Sequence, residues 1–178
     1  MPHRAIIVTW LTEGLALEGA TARVVRRLAD ALHDHPCLQT FLREQAAVAS
    51  RHTAVLADLL RRLGGQPVGL WTARRQVERS LRGLALSGTD DEPVRALTAT
   101  AVALHLAALR YRVLTTALAA LGERELKAPL DRLAAAKATG LAELERRLVR
   151  ATDWLLAQKR REHPAGLTAT AADEQSVV

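Results

Sequence analysis

The sequence holds one cysteine, Cys37, so no disulfide can form within the chain and nothing points to an oxidising compartment. Cys37 precedes an apolar run and is expected to be a buried, inert thiol. Aromatic residues make up 3% of the chain, with one phenylalanine and one tyrosine among them. Alternating apolar patterns and Asn-Gly turns are missing, which argues against a sheet. Long apolar runs are missing too. The longest uncharged stretch, residues 96–109, is too short to span a bilayer and carries His105. The start, MPHRAIIVTWLTEG, has a short apolar run broken by Glu13, so no signal peptide is read there. A cytoplasmic protein with no membrane partner is the expectation.

Lysine is scarce as well. Lys127, Lys137 and Lys159 are the only three, and arginine carries almost all of a formal net charge of +6. That bias, beside abundant alanine and leucine, is what a GC-rich bacterial genome produces. Arginine number alone therefore says little about nucleic acid.

What is present is helix. Half of the 178 residues are hydrophobic (49%), enough for one domain with a sizeable core. Four apolar stripes at helical spacing can be traced. The first helix spans about 10–33, with Leu11, Leu15, Glu18, Ala22, Val25, Ala29 and Leu32 on one face. The second starts near Pro36 and stops at Leu63-Gly64, and its stripe reads Phe41, Glu44, Val48, His52, Val55, Leu59, Leu63. Glycine supplies a left-handed cap there. The third covers about 93–121, entered through Asp90, Asp91, Glu92 and Pro93. The fourth covers about 125–160, with a bend expected near Pro129 or Gly140. Its stripe includes Leu130, Leu133, Lys137, Leu141 and Leu144. Between the second and third helices lies a long connection, in which residues 72–85 read as a short exposed helix and GLALSG (83–88) as a loop. Links in the order short, long, short match the plan of a ferritin-like four-helix bundle with a long crossover. Residues 1–161 make this single domain, and 162–178 read as a disordered tail.

Polar residues interrupt the stripes: Glu18, Glu44, His52 and Lys137, with His105 at the edge of the third. Buried charge demands a partner. A structural polar network of Glu18, Glu44, His52 and Lys137 is one reading. A reduced metal site of Glu18, Glu44, His52 and His105, holding iron or manganese, is the other. A dinuclear centre needs several carboxylates and is usually built with Glu-x-x-His. That motif is absent, and Val94–Gly122 holds no carboxylate. Phosphate loops, dinucleotide fingerprints, cysteine clusters and a nucleophile elbow are also absent, so no catalytic residue is assigned. A basic nucleic-acid surface remains open at Arg61, Arg62, Arg74, Arg75, Arg79 and Arg82. Trp10, Trp71 and Trp154 stand too far apart for a base-stacking platform and read as packing or interface anchors.

The stretch from Pro36 to Pro67 resembles the second helix of ferritin-like stress proteins of the YciE/YciF type. The shared features are Pro36, Glu44, His52 two turns later, Leu56, and Leu63-Gly64 before Pro67. TDDEPVRAL resembles that family's entry to its third helix, and His105 and Tyr111 fall where it carries His and Tyr before a Leu-Gly, here Leu121-Gly122. Lys137, Ala138 and Thr139 match its Lys-Ala-Thr segment. The likeness covers roughly residues 10–150. It departs where the family has glutamates: Leu104 and Ala107 stand around the third-helix histidine, Ala135 and Ala136 before Lys137, and Glu18 matches with a one-residue shift. The resemblance thus implies a ferritin-like fold with a degenerate metal site, in a stress-associated, metal-poor scaffold rather than an enzyme. The partners expected are a second copy of the chain as a homodimer, or another protein. A metal-binding oxidoreductase or carrier is the alternative.

Overall fold

The structure, a computed structural model, describes residues 2–85 and 91–162. The tail from 163 onward and the end of the GLALSG stretch lie outside them. The described residues form five helices and no strand: α1 (Pro2–Ala31), α2 (Pro36–Arg62), α3 (Leu70–Ala85), α4 (Glu92–Ala120) and α5 (Arg124–Glu162). Among the described residues no helix is long and apolar enough to cross a membrane.

Helix ends follow local chemistry. Pro36 opens α2 at a position where its missing N–H costs nothing. Arg61 and Arg62 lie in the last turn, where the helix dipole favours cations. Gly64 then turns left-handed at φ 61°. Its N–H donates to the Arg61 carbonyl, and that of Gly65 to the Leu60 carbonyl, closing a Schellman motif. Gly122 repeats the device after α4 at φ 74°, with Glu123 N–H donating to Leu118 and Gly122 N–H to Ala119. α5 runs unbroken through Pro129 and Gly140.

Contacts between side chains give the helix directions. Arg43 pairs with Asp30, while Gly65, just past the end of α2, lies against Val8, so α2 runs antiparallel to α1. Arg110 pairs with Glu13, while Leu97 clusters with Val25 and Ala29, so α4 is antiparallel to α1 as well. Gly140 faces Gln45, and the Arg147 guanidinium lies 4.5 Å from the Phe41 ring centre, so α5 is antiparallel to α2. α2 and α4 therefore point the same way, although α3 is the only helix between them. α3 runs alongside α1 in its direction, with Arg74 on Gly19 and Glu78 on Arg23.

α3 was expected to be exposed, but one of its faces packs on α1 and α4 through the buried Glu78 and Leu81 and the partly buried Val77. α1 consequently has neighbours on several sides and is buried almost all round from Leu11 to Val25. The core lies in two main apolar clusters. One gathers Leu11, Leu56, Leu59, Leu114 and Leu130; the other gathers Val25, Phe41, Leu42, Leu97 and Leu144.

Two further expectations are corrected. Cys37 is exposed, because the first turn of α2 presents it to solvent while Leu38, Phe41 and Leu42 turn inward. The inward face of α2 is also rotated from the predicted stripe. Leu42, Ala46, Ala49 and Leu56 are buried, whereas Val48 and Val55 are only partly so and Glu44 is exposed.

Candidate functional site

Most buried hydroxyls are satisfied within their own helix. Thr12, Thr21, Thr100 and Thr115 each donate to the carbonyl four residues earlier. Glu18, His52 and Lys137 take their partners from other helices, whereas Glu78 is paired with Arg74 and Arg82 of its own helix as well as with Arg23 of α1. Three of them meet in one place.

Glu18 on α1 is 0% exposed, Lys137 on α5 is 1% exposed and Tyr111 on α4 is 1% exposed; His52 on α2 is 6% exposed. Each comes from a different helix, and the layer lies between the two apolar clusters. The Lys137 Nζ donates to Glu18 Oε2 at 2.8 Å. The Tyr111 hydroxyl donates to Glu18 Oε1. The His52 Nδ1 lies 3.3 Å from the Tyr111 oxygen and 3.4 Å from Glu18 Oε1. Because the Tyr111 proton is committed to Glu18, its oxygen accepts, which places a proton on His52 Nδ1. Both carboxylate oxygens of Glu18 are thus engaged.

The balance of charge follows. Burial pushes the Glu18 carboxyl up, but His52, the Lys137 ammonium and Tyr111 outweigh it together and hold it below its ordinary value. Burial, and then the negative Glu18 beside it, push the Tyr111 phenol far above its ordinary value. These directions set a pH prediction. A carboxylate depressed by folding stabilises above its unfolded value near 4.5 and loses that contribution as pH falls through the folded one. A phenol raised by folding stabilises fully below its unfolded value near 10 and loses that contribution as pH rises beyond it. Urea midpoints measured across pH should therefore fall below about 4.5 and above about 10, and the Glu18→Gln variant should lose the acid limb.

Of the residues assigned from sequence, the structure brings together Glu18, His52 and Lys137 and leaves out two. Glu44 is exposed on the outer face of α2, and His105 is exposed on α4 beside Ala108, Arg112 and Glu145. Neither joins the network or a common ligand set, and among the described residues no three of His, Cys, Asp and Glu gather as metal ligands. Two hard cations about 3.5–4 Å apart would need several carboxylates. Here one carboxylate and one imidazole stand together, with an ammonium on the second carboxylate oxygen. That donor set does not fit a dinuclear centre. Tyr111 is the member that sequence reading missed as a partner. Its signal was available: a lone tyrosine on the inner face of α4 has a hydroxyl that must find an acceptor.

The predicted arginine cluster is also divided. Arg61 and Arg62 are engaged by Asp58. Arg74 and Arg82 turn to Glu78, while Arg75 and Arg79 are exposed.

Fold and network define an all-helical bundle centred on a buried, hydrogen-bonded ion pair. The chain belongs to the family of domains of unknown function DUF892, which it matches over residues 3–154. No curated protein and no solved structure matches it significantly.

Proposed function

We propose that the chain is a ferritin-like bundle whose centre is a structural polar network, and that it acts as a non-catalytic, metal-poor scaffold. The parallel course of α2 and α4, joined through α3, supports the ferritin-like reading, because a long crossover makes its two flanking helices point alike. The observation that carries the functional reading is the engagement of both Glu18 oxygens by Tyr111 and Lys137, with His52 closing the set. A lysine ammonium there provides in the chain itself the positive charge that a buried carboxylate requires. The stress association follows the resemblance of residues 10–150. The exposed apolar side chains of Leu106, Leu109 and Val113 on α4 are the surface this reading assigns to a second copy of the chain.

The test is elemental mass spectrometry of untagged protein from cells supplied with iron and manganese, for the native chain and His52→Ala. Native protein should carry no stoichiometric iron or manganese, and His52→Ala should change nothing. A reproducible stoichiometric load that His52→Ala removes would install the metal-carrier reading instead.

A further inference from the structure

Beside the buried network lies a second polar cluster, on the seam where α3 runs along α1. Glu78 is buried at its centre. Its Oε1 lies 2.8 Å from Arg23 of α1 and 3.6 Å from Arg74, and its Oε2 lies 3.3 Å from Arg82. One carboxylate thus stands among three guanidiniums and neutralises only one of them; it accepts a hydrogen bond from Arg82, while its Oε1 is buried without one. Arg74 also donates to the Gly19 carbonyl at 3.0 Å. The Nε atoms of Arg23 and Arg74 are buried without a hydrogen bond. Burial first, and then the neighbouring Arg23, push the Arg74 guanidinium below its ordinary value.

The same face extends at both ends. Trp71, in the first turn of α3, is 57% exposed, with Arg75 4.7 Å and Arg23 5.8 Å from its ring centre. Arg79 is exposed one turn beyond Arg75. At the other end Arg27 and Arg82 line a hollow with Glu92. Among the described residues, six arginines share this face with two carboxylates, Glu78 and Glu92. Elsewhere Arg43 is matched by Asp30 and Arg110 by Glu13, while Arg61 and Arg62 share Asp58 and Arg146 and Arg147 share Glu143.

Guanidiniums suit phosphate oxygens, because their planar fork of donors matches them. An exposed indole flanked by guanidiniums suits an unpaired base, which has a free face to stack. A duplex would offer this surface its phosphates but no base face. We propose that the α1–α3 face binds single-stranded nucleic acid, with phosphates on Arg23, Arg75, Arg79 and Arg82 and a base stacked on Trp71. This goes beyond the scaffold reading and does not rest on it. Trp71, which looked too isolated in sequence for such a role, gains it from arginines that α1 supplies.

The experiment is fluorescence anisotropy with labelled oligo-dT, oligo-U and a DNA duplex of equal length, across a salt series. The variants are Trp71→Ala, the pair Arg75→Ala/Arg79→Ala, and Arg61→Ala/Arg62→Ala as a control. All of these side chains are exposed, and circular dichroism checks that the fold is kept. Single strands should bind more tightly than duplex, and log K should fall with log salt by about 0.7 per phosphate contact. Trp71→Ala should weaken single-strand binding about tenfold and leave duplex binding unchanged. The Arg75/Arg79 pair should flatten the salt slope by one to two contacts, and the control should match the native chain. Absence of oligonucleotide binding at low salt overturns the proposal. So does equal binding of single strand and duplex with Trp71→Ala silent, which would mean diffuse polyanion attraction. Binding to phosphatidylserine vesicles but not to oligonucleotides overturns it in favour of a membrane surface.

Discussion

Lys137→Met is expected to lower the unfolding free energy by about 3–5 kcal/mol. Methionine nearly preserves the length and bulk of the lysine stem, so little of this is a cavity effect. The loss arises because Glu18, fully buried, keeps its charge and loses the ammonium 2.8 Å from Oε2. The double variant Glu18→Gln/Lys137→Met should recover most of the loss, since two neutral groups then replace a buried ion pair. Urea unfolding of the native chain, both single variants and the double closes the cycle. The deficit of the single lysine variant should shrink toward acid pH, where protonation removes the stranded charge. A Lys137→Met protein within about 0.5 kcal/mol of native at neutral pH would show that the pair is not a buried one.

Tyr111→Phe is expected to cost about 1–3 kcal/mol. The ring remains and fills the same space, so the change isolates the hydroxyl. That hydroxyl donates to Glu18 Oε1 and lies 3.3 Å from the His52 Nδ1. Without it, Oε1 keeps only His52, at 3.4 Å. The unfolding slope in urea should stay the same, because the surface exposed on unfolding barely changes. Tyr111 is also one of the groups that hold the Glu18 carboxyl down, so in this variant the acid limb of stability should be smaller and end at higher pH, its onset still set by the unfolded value near 4.5. An unchanged midpoint and acid limb would mean that water replaces the phenol at no cost.

Both predictions rest on residues of unequal legibility. Glu18 and Lys137 could be read as buried from their own helices. Each sits on a stripe of apolar residues at helical spacing. The α1 stripe from Leu11 to Leu32 is buried at every position assigned to it. Glu44 and His105 were misplaced for one shared reason. α2 carries two overlapping apolar stripes about one residue apart in rotation, one through Glu44 and Val48 and one through Ala46, Ala49 and Leu56. Periodicity cannot choose between them. α4 is apolar nearly all round, with Leu106 and Leu109 exposed and Leu104 and Ala107 buried. Its pattern therefore offers no contrast by which to place His105 outside.

The sequence by itself determined where α2 and α4 begin and end, but not where α1 begins: its stripe reads from about residue 10, whereas the helix starts at Pro2. Pro36, Pro93, Leu63-Gly64 and Leu121-Gly122 act through backbone geometry, which needs no distant partner. It also determined that Glu18, His52 and Lys137 must find company, because desolvation penalises any buried charge whatever the fold. Only the tertiary structure decided whose company. Tyr111 completes the network, Glu78 draws an arginine from α1, and Glu44 turns outward. Each of those outcomes depends on the rotation of one helix against another, and that rotation is set by packing across the bundle rather than by the local order of residues.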